Sequence, residues 1–106
     1  MKHQSFLKQV LLAISTINSS IRIWQQPVGL AWTMDKKRMM KFGLPGQADL
    51  SGIMPNGTRL EIEIKVGRDI QSEKQVNFQK MIEKNKGIYL VIKDDKPIEE
   101  QLKCLA

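Results

Sequence analysis

Asp49, Glu63 and Lys65 are the residues whose types and spacing could do chemistry together. Side chains alternate between the two faces of a strand. Across the stretch 58–66, Leu60, Ile62, Ile64 and Val66 therefore point one way, and Glu61, Glu63 and Lys65 the other. In the apolar stretch 48–54, Ala48, Leu50 and Gly52 share one face, and Asp49, Ser51 and Ile53 share the opposite one. Pro55-Asn56-Gly57 between them has the composition of a three-residue hairpin loop with a glycine bulge. That loop sets Met54 opposite Thr58, Leu50 opposite Ile62 and Asp49 opposite Glu63. Leu50 with Ile62 is a good core pair, whereas two carboxylates directly opposed repel. A two-residue Asn-Gly loop would put Asp49 opposite Ile64 and mix the two faces, so the pattern favours the three-residue loop.

Opposed carboxylates become favourable when a divalent cation sits between them. Mg²⁺ takes hard oxygen ligands, typically one or two carboxylates with water and substrate phosphate. Lys65 follows Glu63 on the same face, roughly 6.5–7 Å along the strand, within reach of a water or phosphate oxygen beside the ion. Cation and lysine together would orient and activate a water and stabilise charge developing on phosphorus. Alone, Glu-x-Glu-x-Lys is an ordinary solvated strand face and Asp49 a surface residue near a turn. The joint pattern is harder to dismiss: Gly46-x-x-Asp49, a gap of 13 residues, then Glu63-x-Lys65, in a register that aligns them.

The elements that must position these residues are legible around them. Phe6, Leu7, Val10, Leu11, Ile14 and Ile17 recur at helical spacing and predict a helix over 5–17. Ile21-Arg22-Ile23-Trp24 alternates like a strand, Pro27 and Gly29 interrupt it, and Ala31-Trp32-Thr33 resumes it. Residues 35–41 have no apolar period and read as an exposed basic loop, which Gly43, Pro45 and Gly46 extend. A helix is expected over 73–85, with Ser72 as N-cap and Gln75 completing a capping box. Residues 88–92 read as a buried strand. Pro97 opens a last short helix carrying Ile98, Leu102 and Leu105. The order is that of one α/β domain, residues 1–106, with a mixed sheet and a hairpin at its centre.

The 17 basic against 11 acidic residues give a net charge of +6, which favours an anionic partner such as nucleic acid. No apolar run approaches the roughly 18 residues of a membrane span, so no membrane association is expected. A single cysteine, Cys104, allows no disulfide framework within one chain and fits a reducing, cytoplasmic setting. Cys104 itself reads as a small apolar residue of the C-terminal helix.

The ordered residues Gly43-Leu-Pro-Gly46-Gln-Ala-Asp49-Leu-Ser-Gly52, Gly57, Glu61-Ile-Glu63-Ile-Lys65, Ser72-Glu-Lys-Gln75-Val-Asn-Phe78 and Gly87-Ile-Tyr-Leu-Val resemble the virus-type replication-repair nuclease (VRR-NUC) domain. That family belongs to the PD-(D/E)XK nuclease superfamily, whose restriction-endonuclease-like fold is a mixed β-sheet with flanking helices. The likeness covers residues 43–92. It implies that Asp49 and Glu63 are metal-binding acids, with the backbone carbonyl of Ile64 a further ligand for Mg²⁺, or Mn²⁺ in its place. It implies that Lys65 is the catalytic lysine and Gln75 the motif glutamine on the following helix. It also implies a structure-selective DNA endonuclease acting as a homodimer on branched DNA, including four-way (Holliday) junctions, as stand-alone members of viral origin do. Two alternatives stay open: a non-catalytic nucleic-acid-binding module on the same scaffold, and an interaction subunit of a phage replication complex.

One departure from the family stands out. The family carries a glutamate near the start of its first helix, and here no acidic residue precedes Asp35. Gln4 or His3 stands near that position, which puts a second metal ion in doubt; so near the first residue, His3 is expected to be a frayed surface side chain rather than a ligand. For DNA contact the candidates are Lys36, Lys37, Arg38 and Lys41 in the basic loop, and Lys74 on the motif helix, all to phosphate and shape rather than base edges. Trp24 and Trp32 are expected in the core or a dimer interface, and Met34, Met39 and Met40 in a flexible apolar patch for dimer packing.

Overall fold

The computed structural model describes residues 2–26, 29–32, 34–42 and 44–106, with the side chains of 29–32 and 40–42 outside the description. The expectations placed on Thr33, Gly43 and the side chains of Trp32, Met40 and Lys41 therefore lie outside the described residues.

The chain is a mixed α/β domain. A four-stranded sheet has the order β1-β4-β5-β6, formed by β1 (Arg22–Gln25), β4 (Leu50–Ile53), β5 (Arg59–Lys65) and β6 (Ile88–Lys93). The β1–β4 and β4–β5 pairs are antiparallel and β5–β6 is parallel. A parallel neighbour needs a crossover, and α2 (Glu73–Lys84) supplies it between β5 and β6. The alternation of β5 decides what each face of the sheet meets. Leu60, Ile62 and Ile64 are joined by Leu50 and Ile92 against Phe6, Leu7, Val10 and Ile14 of α1 (His3–Ile17), with Leu102 of α3 (Ile98–Leu102) and Leu105 of the closing 3₁₀ turn. The other face meets α2 through a smaller cluster of Ala48, Phe78, Ile82 and Tyr89. The acidic face of β5 is thus covered by α2 and buried, where the pattern alone reads as solvated.

The hairpin loop is as expected. The Gly57 N–H donates to the Met54 carbonyl at 2.9 Å and the Met54 N–H to the Thr58 carbonyl at 2.8 Å, while Gly57 takes φ +91°. Leu50 pairs with Ile62, as the loop length demands. Other local expectations are corrected. The strand read from Ala48 begins at Leu50. The chain bends at Asp49, so that Ala48 packs under α2 rather than beside Leu50. The basic segment is not loop throughout: β3 (Met39–Phe42) pairs antiparallel with β2 (Gly29–Trp32), placing Leu30 opposite Lys41 in a separate two-stranded sheet. Its tip contains an Asx turn, with the Lys37 N–H donating to Asp35 Oδ1 at 3.0 Å, and Lys36 at φ 58°. Such a turn chemistry closes a hairpin without an apolar signal. Trp24 is about half exposed rather than in the core, and Cys104 is exposed.

Candidate active site

Ladder pairing of β4 with β5 ends at Leu50–Ile62, while β5 runs on through Glu63, Ile64 and Lys65. Where the strands part, backbone groups of β5 lose their partners, and buried backbone groups require replacements. The Ile64 N–H donates to Asp49 Oδ2 at 2.8 Å. The Ile64 carbonyl lies 3.2 Å from His3 Nε2, which is also 3.4 Å from Asp49 Oδ2. His3 is therefore not frayed but half-buried in the first turn of α1, against both Asp49 and Ile64. Gln4 points elsewhere, sharing 3.3 Å amide contacts with Gln25 on β1. Of His3 and Gln4, His3 is the one that reaches the site.

Glu63 is buried, at 2% exposure. Its carboxyl is pushed up to about 9, first by burial and then by its contact with the Asp49 carboxylate, against a smaller opposing pull from Lys65. Among the described residues, no donor reaches its buried Oε2. A buried oxygen of this kind costs free energy unless a proton or a cation serves it.

Lys65 is buried beside it. Its Nζ donates to Gln75 Oε1 at 2.9 Å, lies 4.0 Å from Glu63 Oε1 and 3.8 Å from Asp69 Oδ2. Gln75 serves two purposes with one atom, since Oε1 also accepts from the Ser72 N–H at 2.9 Å. The capping box is complete, with the Gln75 N–H donating to Ser72 Oγ at 3.2 Å. The start of α2 and the ammonium of Lys65 are thereby locked together.

Gly46 explains how Asp49 arrives. It holds φ +78°, and a methyl there would strike the Lys74 carbonyl and the Gln75 N–H. Only glycine lets the turn at residues 44–47 lie against the first turn of α2.

The structure thus brings together Asp49, Glu63, the Ile64 carbonyl, Lys65 and Gln75, and adds His3. His3 was singled out in the sequence only through the resemblance, and there as a surface side chain rather than a ligand. The basic candidates do not enter the contacts described for the site. Lys36, Lys37 and Arg38 are exposed in the tip of the β2–β3 hairpin; Lys41 lies on β3 with its side chain outside the description. Lys74 is exposed on α2 beside Leu44, Pro45, Asn77, Phe78 and Met81, which line a shallow groove.

A second buried glutamate contrasts with the first. Glu61 is fully buried, but its carboxylate accepts from Ser51 Oγ and from Arg59 Nε, each at 2.7 Å. Both of its oxygens are served, so it needs no ion.

Among the described residues, no three His, Cys, Asp or Glu side chains stand ready as a metal cage. Two side-chain carboxylates, one of them with an unserved oxygen, and a backbone carbonyl at a strand edge nevertheless make a hard-oxygen donor set that suits Mg²⁺ or Mn²⁺. Comparison with protein-family models and with curated proteins finds no match to this chain. No helix among the described residues is long and apolar enough to cross a membrane.

Proposed function

We propose that this chain is a metal-dependent endodeoxyribonuclease of the PD-(D/E)XK type, similar to VRR-NUC domains, that hydrolyses phosphodiester bonds in branched DNA as a homodimer. The observation that carries the reading is the buried Glu63 carboxyl, set beside the Asp49 carboxylate and a buried lysine, with its Oε2 unserved among the described residues. Such an arrangement costs stability in the absence of an ion and is relieved by one, as expected of a site kept for chemistry.

Asp49, Glu63 and the Ile64 carbonyl would hold the divalent cation, Mg²⁺ or Mn²⁺. The ion, when bound, supplies Lewis acidity and neutralises charge on the phosphate. Asp49 also holds the Ile64 N–H, which keeps the Ile64 carbonyl facing the same strand edge. Lys65 contributes a positive charge that burial strengthens, and Gln75 fixes its position. From there Nζ can donate to a non-bridging phosphate oxygen or to the attacking water, stabilising charge as it develops. The exposed cations at the hairpin tip and Lys74 would bind the phosphate backbone without reading bases.

Cleavage of a labelled four-way junction and of a linear duplex of equal length, with Mg²⁺, Mn²⁺ or EDTA, tests this. Lys65→Met is the preferred control, because it keeps the buried aliphatic stem and removes only the ammonium. Metal-dependent cutting of the junction, lost in Lys65→Met, is expected; wild-type rates in that variant would overturn the assignment. That no three-side-chain cage stands ready among the described residues favours a second reading, a non-catalytic DNA-binding module, for which binding without cutting under every metal is the expected result.

A further inference from the structure

His3 Nε2 faces two oxygens at once, the Ile64 carbonyl at 3.2 Å and Asp49 Oδ2 at 3.4 Å. A bare imidazole lone pair would be repelled by both, so something positive must lie among the three atoms. A proton on Nε2 can serve one of them well and the other poorly, because hydrogen bonds weaken as they bend. A cation serves all three. In an octahedral shell with bonds of about 2.1 Å, neighbouring ligand atoms stand about 3 Å apart, close to the separations seen here. Two of these atoms belong to residues already read as ligands, and the Glu63 carboxyl, whose Oε2 has no donor among the described residues, interacts with the same Asp49 carboxylate.

We propose that His3 is a metal ligand, giving the site one nitrogen donor beside Asp49 and the Ile64 carbonyl, with Glu63 drawn in when the ion binds because the three side chains do not stand as a ready cage without it, and tuning the site to Mn²⁺ in preference to Mg²⁺. This rests on the nuclease reading of the same site. Mg²⁺ favours oxygen donors, whereas imidazole favours first-row transition ions over Mg²⁺. A site with a carboxylate in place of His3 would be all oxygen and would accept Mg²⁺ readily. With His3 the preference moves toward the ion that tolerates a mixed shell. The same contact ties the first turn of α1 to the end of β5.

The chain has one histidine, so its imidazole signals are unambiguous. The experiment uses the full chain, tagged only at its C-terminal end, in wild-type, His3→Gln and His3→Glu forms. Calorimetric titration with Mn²⁺ and with Mg²⁺ measures preference, and ¹⁵N spectra with Zn²⁺ as a diamagnetic probe report ligation. Wild type should prefer Mn²⁺, and Zn²⁺ should move the Nε2 resonance more than Nδ1. His3→Gln should lose about tenfold or more in Mn²⁺ affinity, and His3→Glu should regain binding with the preference moved toward Mg²⁺. Circular dichroism establishes that each variant is folded. Equal Mn²⁺ affinity in wild type and His3→Gln, with junction cleavage intact, would overturn the ligand role of His3 and leave the nuclease reading standing. No metal binding by wild type and no cleavage would overturn both.

Discussion

Replacing Glu63 by glutamine should make the metal-free protein more stable while abolishing its cleavage activity. The Glu63 carboxyl is pushed from its ordinary 4.5 up to about 9. At pH 7 the folded chain therefore holds a proton there that the unfolded chain has released. Each pKa unit weighs about 1.4 kcal/mol. Between the ordinary value and pH 7, the wild-type fold is thus disfavoured by about 3 kcal/mol relative to a side chain neutral in both states. The sign follows from proton counting. Folded Glu63 binds more protons than unfolded Glu63, so its contribution to stability is fully present below pH 4.5 and is lost progressively as pH rises toward 9. Glutamine has the shape of the protonated acid, and its amide can donate to Asp49 as that proton does. For a domain of this size the gain is upwards of about 10 °C in Tm at neutral pH. Thermal melts in EDTA, followed by circular dichroism from pH 5 to pH 9, provide the assay. The two proteins should converge at the acid end and separate as pH rises. A Glu63→Gln protein that melts at or below wild type at pH 8, or a gap that does not narrow toward pH 5, would refute the reasoning.

Other outcomes follow from the same geometry. Mn²⁺ binding should displace the Glu63 proton, so apparent affinity should rise about tenfold per pH unit from about pH 5 toward the Glu63 pKa; calorimetry in two buffers of different ionisation heat counts that proton directly. Glu61→Ala should destabilise by about 2–4 kcal/mol, because it empties a buried site and strips Ser51 and Arg59 of their shared acceptor, whereas Glu63→Gln two residues away stabilises; denaturant melts of both variants check the contrast. Gly46→Ala should cost about 1–3 kcal/mol through its left-handed backbone alone. It should also lower cleavage beyond that loss, because the turn must withdraw from the first turn of α2 and carry Asp49 with it; activity measured well below the variant's Tm separates the two effects.

The parts of the site governed by local rules were legible in the residues. Loop composition at Pro55-Asn56-Gly57 dictates the turn, and the turn dictates the Leu50–Ile62 register; the expected Asp49–Glu63 pair does not form, because the ladder ends one residue short of it. Ser72 and Gln75 announce the start of α2 by their spacing. Long-range effects were not legible. No periodicity says that α2 covers the acidic face of β5, because Glu61, Glu63 and Lys65 look like a wet surface until the helix is laid on them. Nor does any local rule bend the chain at Asp49 or carry the first turn of α1 to the edge of β5. His3 is placed by the packing of Phe6, Leu7, Val10 and Ile14 on the sheet, and such packing registers as core, not as site. The β2–β3 hairpin was missed for a different reason: lysines and methionines give a strand of little alternation, and the turn is made by Asp35 rather than by glycine.

The site is a consequence of where the ladder ends. Had β4 continued in register, Ile64 would have spent its N–H and carbonyl on a neighbouring strand, and Asp49 would have stood opposite Glu63 with nothing between them but repulsion. Because the chain bends at Asp49, the carboxylate turns inward to hold the Ile64 N–H, and the Ile64 carbonyl faces His3 instead of a strand. The same bend sends Ala48 beneath α2, and Glu63, buried on that face of the sheet, has its proton affinity raised. The preceding turn, through Gly46, rests on the helix whose Gln75 holds Lys65. One interruption of the sheet therefore sets the donors of the proposed ion site beside the lysine that Gln75 holds. These features should fail together: a substitution that restores regular pairing at Asp49 would make the fold more ordinary and more stable, and would leave no place for chemistry.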